Sequence, residues 1–127
     1  MTMANDQSNS VHVDIDQQTV TAYAQLTGDY NPIHLDPEFA SKTAMGGVIA
    51  HGTLSVGLIW RALERALGSH CLCRISLDIR FIKPVRLGEH LVSGIEQHPQ
   101  NERIYDVWVR QARDGDPRIV GTATLID

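Results

Sequence analysis

The sequence predicts an α+β fold in which an antiparallel sheet wraps around one long buried helix. Three observations carry this expectation. Over about 52–67, Leu54, Val56, Leu58, Ile59, Ala62, Leu63, Ala66 and Leu67 leave hardly any polar face before Arg61, and a helix apolar nearly all round is a buried one. Beyond it the period changes to two: Ile75, Leu77, Ile79 and Phe81 alternate with Arg74, Ser76, Asp78 and Arg80, and further strands are expected at about 90–98, 104–113 and 118–126. Such a sheet has one apolar face that must be covered, and the 52–67 helix is the element apolar enough to cover it.

From the N-terminus, residues 1–10 hold no apolar core between basic flanks, which reads as a disordered tail rather than a signal peptide or membrane anchor; one domain is expected over 11–127. Val11-His12-Val13-Asp14-Ile15 alternates as a short first strand. Asp16 caps a helix over about 17–27, with Val20, Tyr23, Ala24 and Thr27 on one side, and Gly28 supplies its stop. Pro32 keeps a helix from running through the next stretch, which reads as a loop. Asp36 caps again, with Pro37 at the first helical position and Glu38 near the positive end of the dipole, for a short helix to about residue 43. Capping therefore explains Asp36 and Glu38 better than a catalytic role does. Ala44-Met45-Gly46-Gly47 connects to the long helix, which begins at His51-Gly52 and ends at Gly68. A sheet wrapped around one such helix is the hot-dog architecture.

A length of 127 residues, 43% hydrophobic and 20% charged, describes one soluble globular domain with a single core. A formal net charge of -4 argues against non-specific nucleic-acid binding, which needs a basic surface. With neither leader nor membrane segment in view, a cytoplasmic location follows by default. Cys71 and Cys73 stand two residues apart in an expected strand, where a bridge between them would be badly strained, so they read as reduced thiols. His70-Cys71-Leu72-Cys73 lacks the second cluster that a four-ligand zinc site requires, and no metal is expected. Trp60 and Trp108 read as core, and His12, His70, His90 and His98 as ordinary histidines at element edges.

Gly28-Asp29-Tyr30-Asn31-Pro32-Ile33-His34 is where chemistry concentrates, because it sets a carboxylate and an imidazole five positions apart on a stretch stiffened by proline and asparagine. General acid/base catalysis needs that combination of titratable groups and defined geometry. Spacing alone is weak evidence, since Asp, His and Asn-Pro are common in loops. The longer run Tyr23-Ala24-Gln25-Leu26-Thr27-Gly28-Asp29-Tyr30-Asn31-Pro32-Ile33-His34, followed by Ala40 after five intervening residues, resembles the signature of the MaoC-like family, the R-specific enoyl-CoA hydratases or hydratase 2. The Phe81-Ile82-Lys83-Pro84-Val85-Arg86-Leu87-Gly88-Glu89 turn looks like the corresponding segment of that family, and the likeness extends loosely over residues 12–126.

The resemblance implies a hot-dog fold, a homodimer with a continuous sheet, and water addition across the double bond of an enoyl thioester, or the reverse. Asp29 and His34 would be the catalytic dyad, and the Gly52 N–H, unpaired at the positive end of a helix, would take the charge that builds on the thioester oxygen. Without the motif, Gly52 could equally only relieve crowding. Asn31 is expected to fix the loop or touch the site water, and His51 to cap or pack at the helix start. Trp60 would close part of an acyl tunnel, and Arg80, Lys83 and Arg86 form a basic patch that could hold the phosphates of coenzyme A or a carrier-protein arm. An exposed charge run is more often solvated surface. The thioester is substrate, so no resident cofactor is expected, nor any nucleic-acid or membrane partner. Two other readings stand beside this one. A hot-dog thioesterase would place a carboxylate on or beside the central helix, which has none before Glu64; a non-catalytic acyl-thioester binding module would not need Asp29, His34 and Gly52 intact.

Overall fold

The structure, a computed structural model, describes residues 10–126, and apart from Ser10 the expected tail lies outside the described residues. α1 (Gln17–Thr27) starts where the Asp16 carboxylate accepts the Thr19 N–H at 2.7 Å. It stops where Gly28 turns left-handed, at φ 76°, and donates its N–H to Ala24 O. Val20 and Ala24 are buried, whereas Thr27, expected on the same side, is exposed and turns its hydroxyl onto the Tyr23 carbonyl.

The stretch expected to be a loop contains a helix. Pro32–Leu35 forms one turn, α2, with Asn31 as N-cap and Pro32 at the first position, where a missing N–H costs nothing because no intrahelical acceptor waits for it. Proline starts this helix instead of blocking one. α3 (Pro37–Ser41) follows, its N–H groups at Glu38 and Phe39 accepted by Asp36 Oδ1. It ends short of residue 43 because Lys42 and Thr43 donate to the carbonyls of Phe39 and Ala40, tightening the last turn. α4 (Gly52–Leu67) has the expected bounds and Gly68 closes it. The chain then reverses through a 3-10 turn, Ser69–Arg74, so Cys71 and Cys73 are not strand residues as expected; both are free.

Five strands, β1 (Val11–Asp14), β2 (Ile75–Phe81), β3 (His90–His98), β4 (Asn101–Gln111) and β5 (Pro117–Leu125), form one antiparallel sheet in the order β1-β3-β4-β5-β2. β4 begins before residue 104 because its hairpin with β3 closes over Pro99-Gln100 alone, pairing His98 with Asn101. Leu91, Ile95, Val107, Val109, Ile119 and Ala123 face α4 and pack on Leu54, Ile59, Ala62 and Leu63. Ser93, wholly buried, donates its hydroxyl to Leu58 O at 2.8 Å and so fixes the helix against the sheet. The hot-dog arrangement is thus present, with one qualification: the far side of α4 is open in the single chain, where Gly57 is exposed and Val56, Leu58 and Trp60 are half-buried. Trp108 departs from expectation too. Strand alternation puts it opposite Val107 and Val109, on the outer face, with the Arg110 guanidinium 4.3 Å from its ring. On that face His12 and His90 bond each other, as exposed edge histidines. Among the described residues no helix is long and apolar enough to cross a membrane.

The loop from Ile82 to Glu89 is tied down from several directions. Ile82 N–H donates to Arg118 O, Ala50 N–H to Val85 O and Ile15 N–H to Glu89 O. Arg118 Nε meets Glu89 Oε1 at 2.9 Å with both side chains nearly buried, and its Nη1 meets Asp116 Oδ2 at 2.9 Å. Glu89 in turn holds the guanidinium more firmly protonated than usual. Removing one partner of a buried pair leaves the other charge uncompensated, so Arg118→Ala should lower stability in urea unfolding by about 3–5 kcal/mol. Lys83 and then Arg118 hold the Asp116 carboxyl below the usual carboxylate value. A depressed folded-state pKa stabilises the fold above the unfolded-state value and stops doing so as pH falls through the folded one. Asp116→Asn should therefore flatten the fall in melting temperature below about pH 4 and leave its slope near neutrality unchanged.

Candidate active site

Local hydrogen bonds hold the Asp29–His34 stretch in shape. The Asp29 N–H donates to Thr27 Oγ1, the Asn31 N–H to Asp29 Oδ1 at 3.2 Å, and the Ile33 N–H to Asn31 Oδ1 at 3.0 Å. Asn31 therefore fixes the loop, one of its two expected roles. The single turn of α2 then lifts His34 off the surface to 8% exposure, while Asp29 stays exposed. Gln17 of α1 donates its amide to His34 O at 3.1 Å, and the Ile49 N–H donates to Ile33 O.

The tautomer of His34 follows from one contact. Nδ1 lies 2.7 Å from the Ile49 carbonyl oxygen, which has no proton to give, so Nδ1 carries the hydrogen and the neutral ring keeps its lone pair on Nε2. That lone pair is the basic atom of the site. His51 has the opposite arrangement: Nε2 donates to the Asp29 carbonyl at 3.0 Å, which leaves Nδ1 unprotonated, buried and without a partner among the described residues. The two rings stack with centroids 3.8 Å apart and 25° between planes, and Tyr23 meets His51 edge-on while its hydroxyl bonds Thr53 Oγ1 at 2.8 Å.

His51 was expected to cap or pack at the start of α4. It makes no side-chain cap but does pack there, holding Asp29 by its backbone and His34 by its ring. The one signal in the sequence was its place beside the Gly52 that starts the long helix. One ligand atom each from Asp29, His34 and His51 lies within 4.8 Å of the others, close enough in principle for a metal ion. Each ring donates its other N–H to a backbone carbonyl, which leaves one acceptor nitrogen per ring, and with the Asp29 carboxylate these can also take the hydrogens of a water.

Gly52 is the first residue of α4, and with no side chain capping that end its N–H is free to bind a ligand. A Cβ at Gly52 would lie 3.1 Å from the Phe81 ring, so the glycine also makes room there. Beside it opens a pocket of about 310 Å³ walled by Ala50, Val85, Phe81 and Ile119, with Ser55 inside and Lys83 at the rim. Neither Asp29 nor His34 lines this pocket; His34 is joined to it through the Ile49 carbonyl. Trp60 does not line it either; Ser55 is the α4 side chain that does. The basic patch divides. Lys83 pairs with Asp116 at 2.8 Å, Arg86 donates to Met45 O, and Arg80 stands exposed on β2.

The family described as MaoC like domain matches residues 2–116 of the chain. A 3-hydroxybutyryl-CoA dehydratase of Methylorubrum extorquens is 41% identical over 83 residues, covering 65% of this chain and 53% of that protein. An (R)-specific enoyl-CoA hydratase of Aeromonas caviae is 35% identical over 77 residues, covering 61% and 58%. The chain thus spans little more than half the length of these curated relatives. Among solved structures, an unliganded R-hydratase from Pseudomonas aeruginosa superposes with TM-score 0.74 at 26% identity, covering 93% of this chain and 79% of that one.

The hydrogen bonds predict opposite tautomers for two stacked rings. In nitrogen-detected NMR at neutral pH, His34 should show protonated Nδ1 and bare Nε2, and His51 the reverse; matching tautomers would contradict this geometry.

Proposed function

The chain belongs to the MaoC-like domain family, and from that premise we propose that it is a hydro-lyase adding water across the double bond of an enoyl thioester to give the (R)-3-hydroxyacyl thioester, or removing it. The observation that carries this reading is the approach of the Asp29 carboxylate and the His34 ring to each other and to His51, which precedes a helix N-terminus that no side chain caps. Two acceptors bind the two hydrogens of one water and turn an oxygen lone pair outward. As that oxygen bonds C3, one of the acceptors takes a proton and the double-bond electrons move through C2 onto the thioester oxygen. The Gly52 N–H, at the positive end of α4, stabilises the resulting enolate. A proton from the dyad then reaches C2, and the site returns to its starting charge.

The apolar pocket beside Gly52 suits the acyl tail, and Lys83 at its rim, with Arg80 and Arg86 on neighbouring surface, suits the phosphates of coenzyme A or of a carrier-protein arm. No resident cofactor enters this chemistry. Thioester hydrolysis fits less well, because the one carboxylate on α4 is Glu64, which pairs with Arg61 at 2.5 Å near the far end of the helix. A homodimer belongs to the same reading: β2 is an edge strand ending in exposed Phe81, with exposed Ile82 just beyond it, and pairing it with a second copy would continue the sheet. Work in the cytoplasm, where thiols such as Cys71 and Cys73 stay reduced, fits as well.

Crotonyl-CoA tests the proposal directly. Purified protein should bleach the enoyl absorbance, and Asp29→Asn and His34→Ala should each lower kcat/KM by about 10²–10⁴-fold while keeping the native circular dichroism. Full activity in either variant would remove that group from the chemistry, and release of free coenzyme A thiol in place of hydration would point to hydrolysis. Sedimentation should give a species of twice the chain mass.

A further inference from the structure

Ser55 carries a buried hydroxyl with nothing to bond. It is 2% exposed, and its Oγ has no hydrogen-bond partner among the described residues. A helical serine ordinarily turns its hydroxyl onto a carbonyl one turn back. Here His51 O accepts the Leu54 N–H at 3.1 Å, and Ser55 faces the pocket beside Gly52 instead. A desolvated hydroxyl is unfavourable until something completes it.

We propose that Ser55 selects acyl groups bearing an oxygen, as hydroxyl or ketone, a few carbons beyond the reacting double bond. This rests on the enoyl-thioester reading above. With the thioester oxygen on the Gly52 N–H, Ser55 lies three residues further along α4, about 4.5 Å deeper at 1.5 Å rise per residue. That depth is past the carbons that react. The nearby wall of Ala50, Val85 and Ile119 is apolar and offers such an oxygen no competing partner. A plain alkyl tail would leave the Ser55 hydroxyl unpaired, whereas an oxygenated tail satisfies it, and sites built to bond a substrate oxygen discriminate against analogues lacking it.

The test compares coenzyme A thioesters of trans-pentenoate and of its δ-hydroxy derivative, matched in length. The protein should favour the hydroxylated substrate in kcat/KM by about tenfold, the scale of one hydrogen bond. Ser55→Ala should bring the ratio close to one, and Ser55→Thr, which keeps the hydroxyl, should retain part of the preference. A wild-type ratio at or below one overturns the proposal. So does an equal loss on both substrates in Ser55→Ala, because the hydroxyl would then serve a part common to both. Turnover of neither thioester, nor of crotonyl-CoA, would instead remove the hydratase reading and this proposal with it.

Discussion

Everything at the site depends on the carbonyl of Ile49. It sits in a short extended run that meets α2 on one side, through Ile49 N–H to Ile33 O, and the Ile82–Glu89 loop on the other, through Ala50 N–H to Val85 O. Held from both sides, that carbonyl accepts the His34 Nδ1 hydrogen and thereby decides which nitrogen of the ring is basic. The same run continues into His51 and Gly52. One piece of backbone thus fixes the His34 ring, the ring stacked on it and the N-terminus of α4.

Burial divides the labour among the three polar groups. His34 and His51 are withdrawn from solvent and lock each other by stacking, while Asp29 remains exposed and is aligned through its backbone and the Asn31 N–H. The cost of burial falls on the imidazoles, each of which offsets it with one ring N–H bonded to a backbone carbonyl. Rigidity comes from outside the site, where Arg118 and Glu89 hold the loop that forms the pocket wall.

Much of this was legible in the sequence because the signals are local. Asp16, Gly28 and Asp36 cap where capping residues should, and the run from Gly52 to Leu67 declares its helix by spacing alone. Asp29, His34 and Gly52 were marked by the motif. The turn at Pro32 was misread because proline both ends and begins helices, and only the Asn31 cap tells which. The roles of His51 and Ser55 were not legible. One depends on a partner seventeen residues away in the chain, the other on the absence of any partner, and neither leaves a periodic trace.

The chain's two tryptophans happen to stand on opposite sides of the sheet. Trp60 rides on α4, against the core, while Trp108 lies on the outer face between Gly94 and the Arg110 guanidinium. Their emission is therefore a pair of built-in gauges for separate parts of the molecule. A single-tryptophan form keeping Trp60 would follow the helix as it lifts from the sheet, and one keeping Trp108 would follow the strands as they part. Coincident changes would mean that helix and sheet come apart as one unit, and staggered changes that the sheet outlasts its filling.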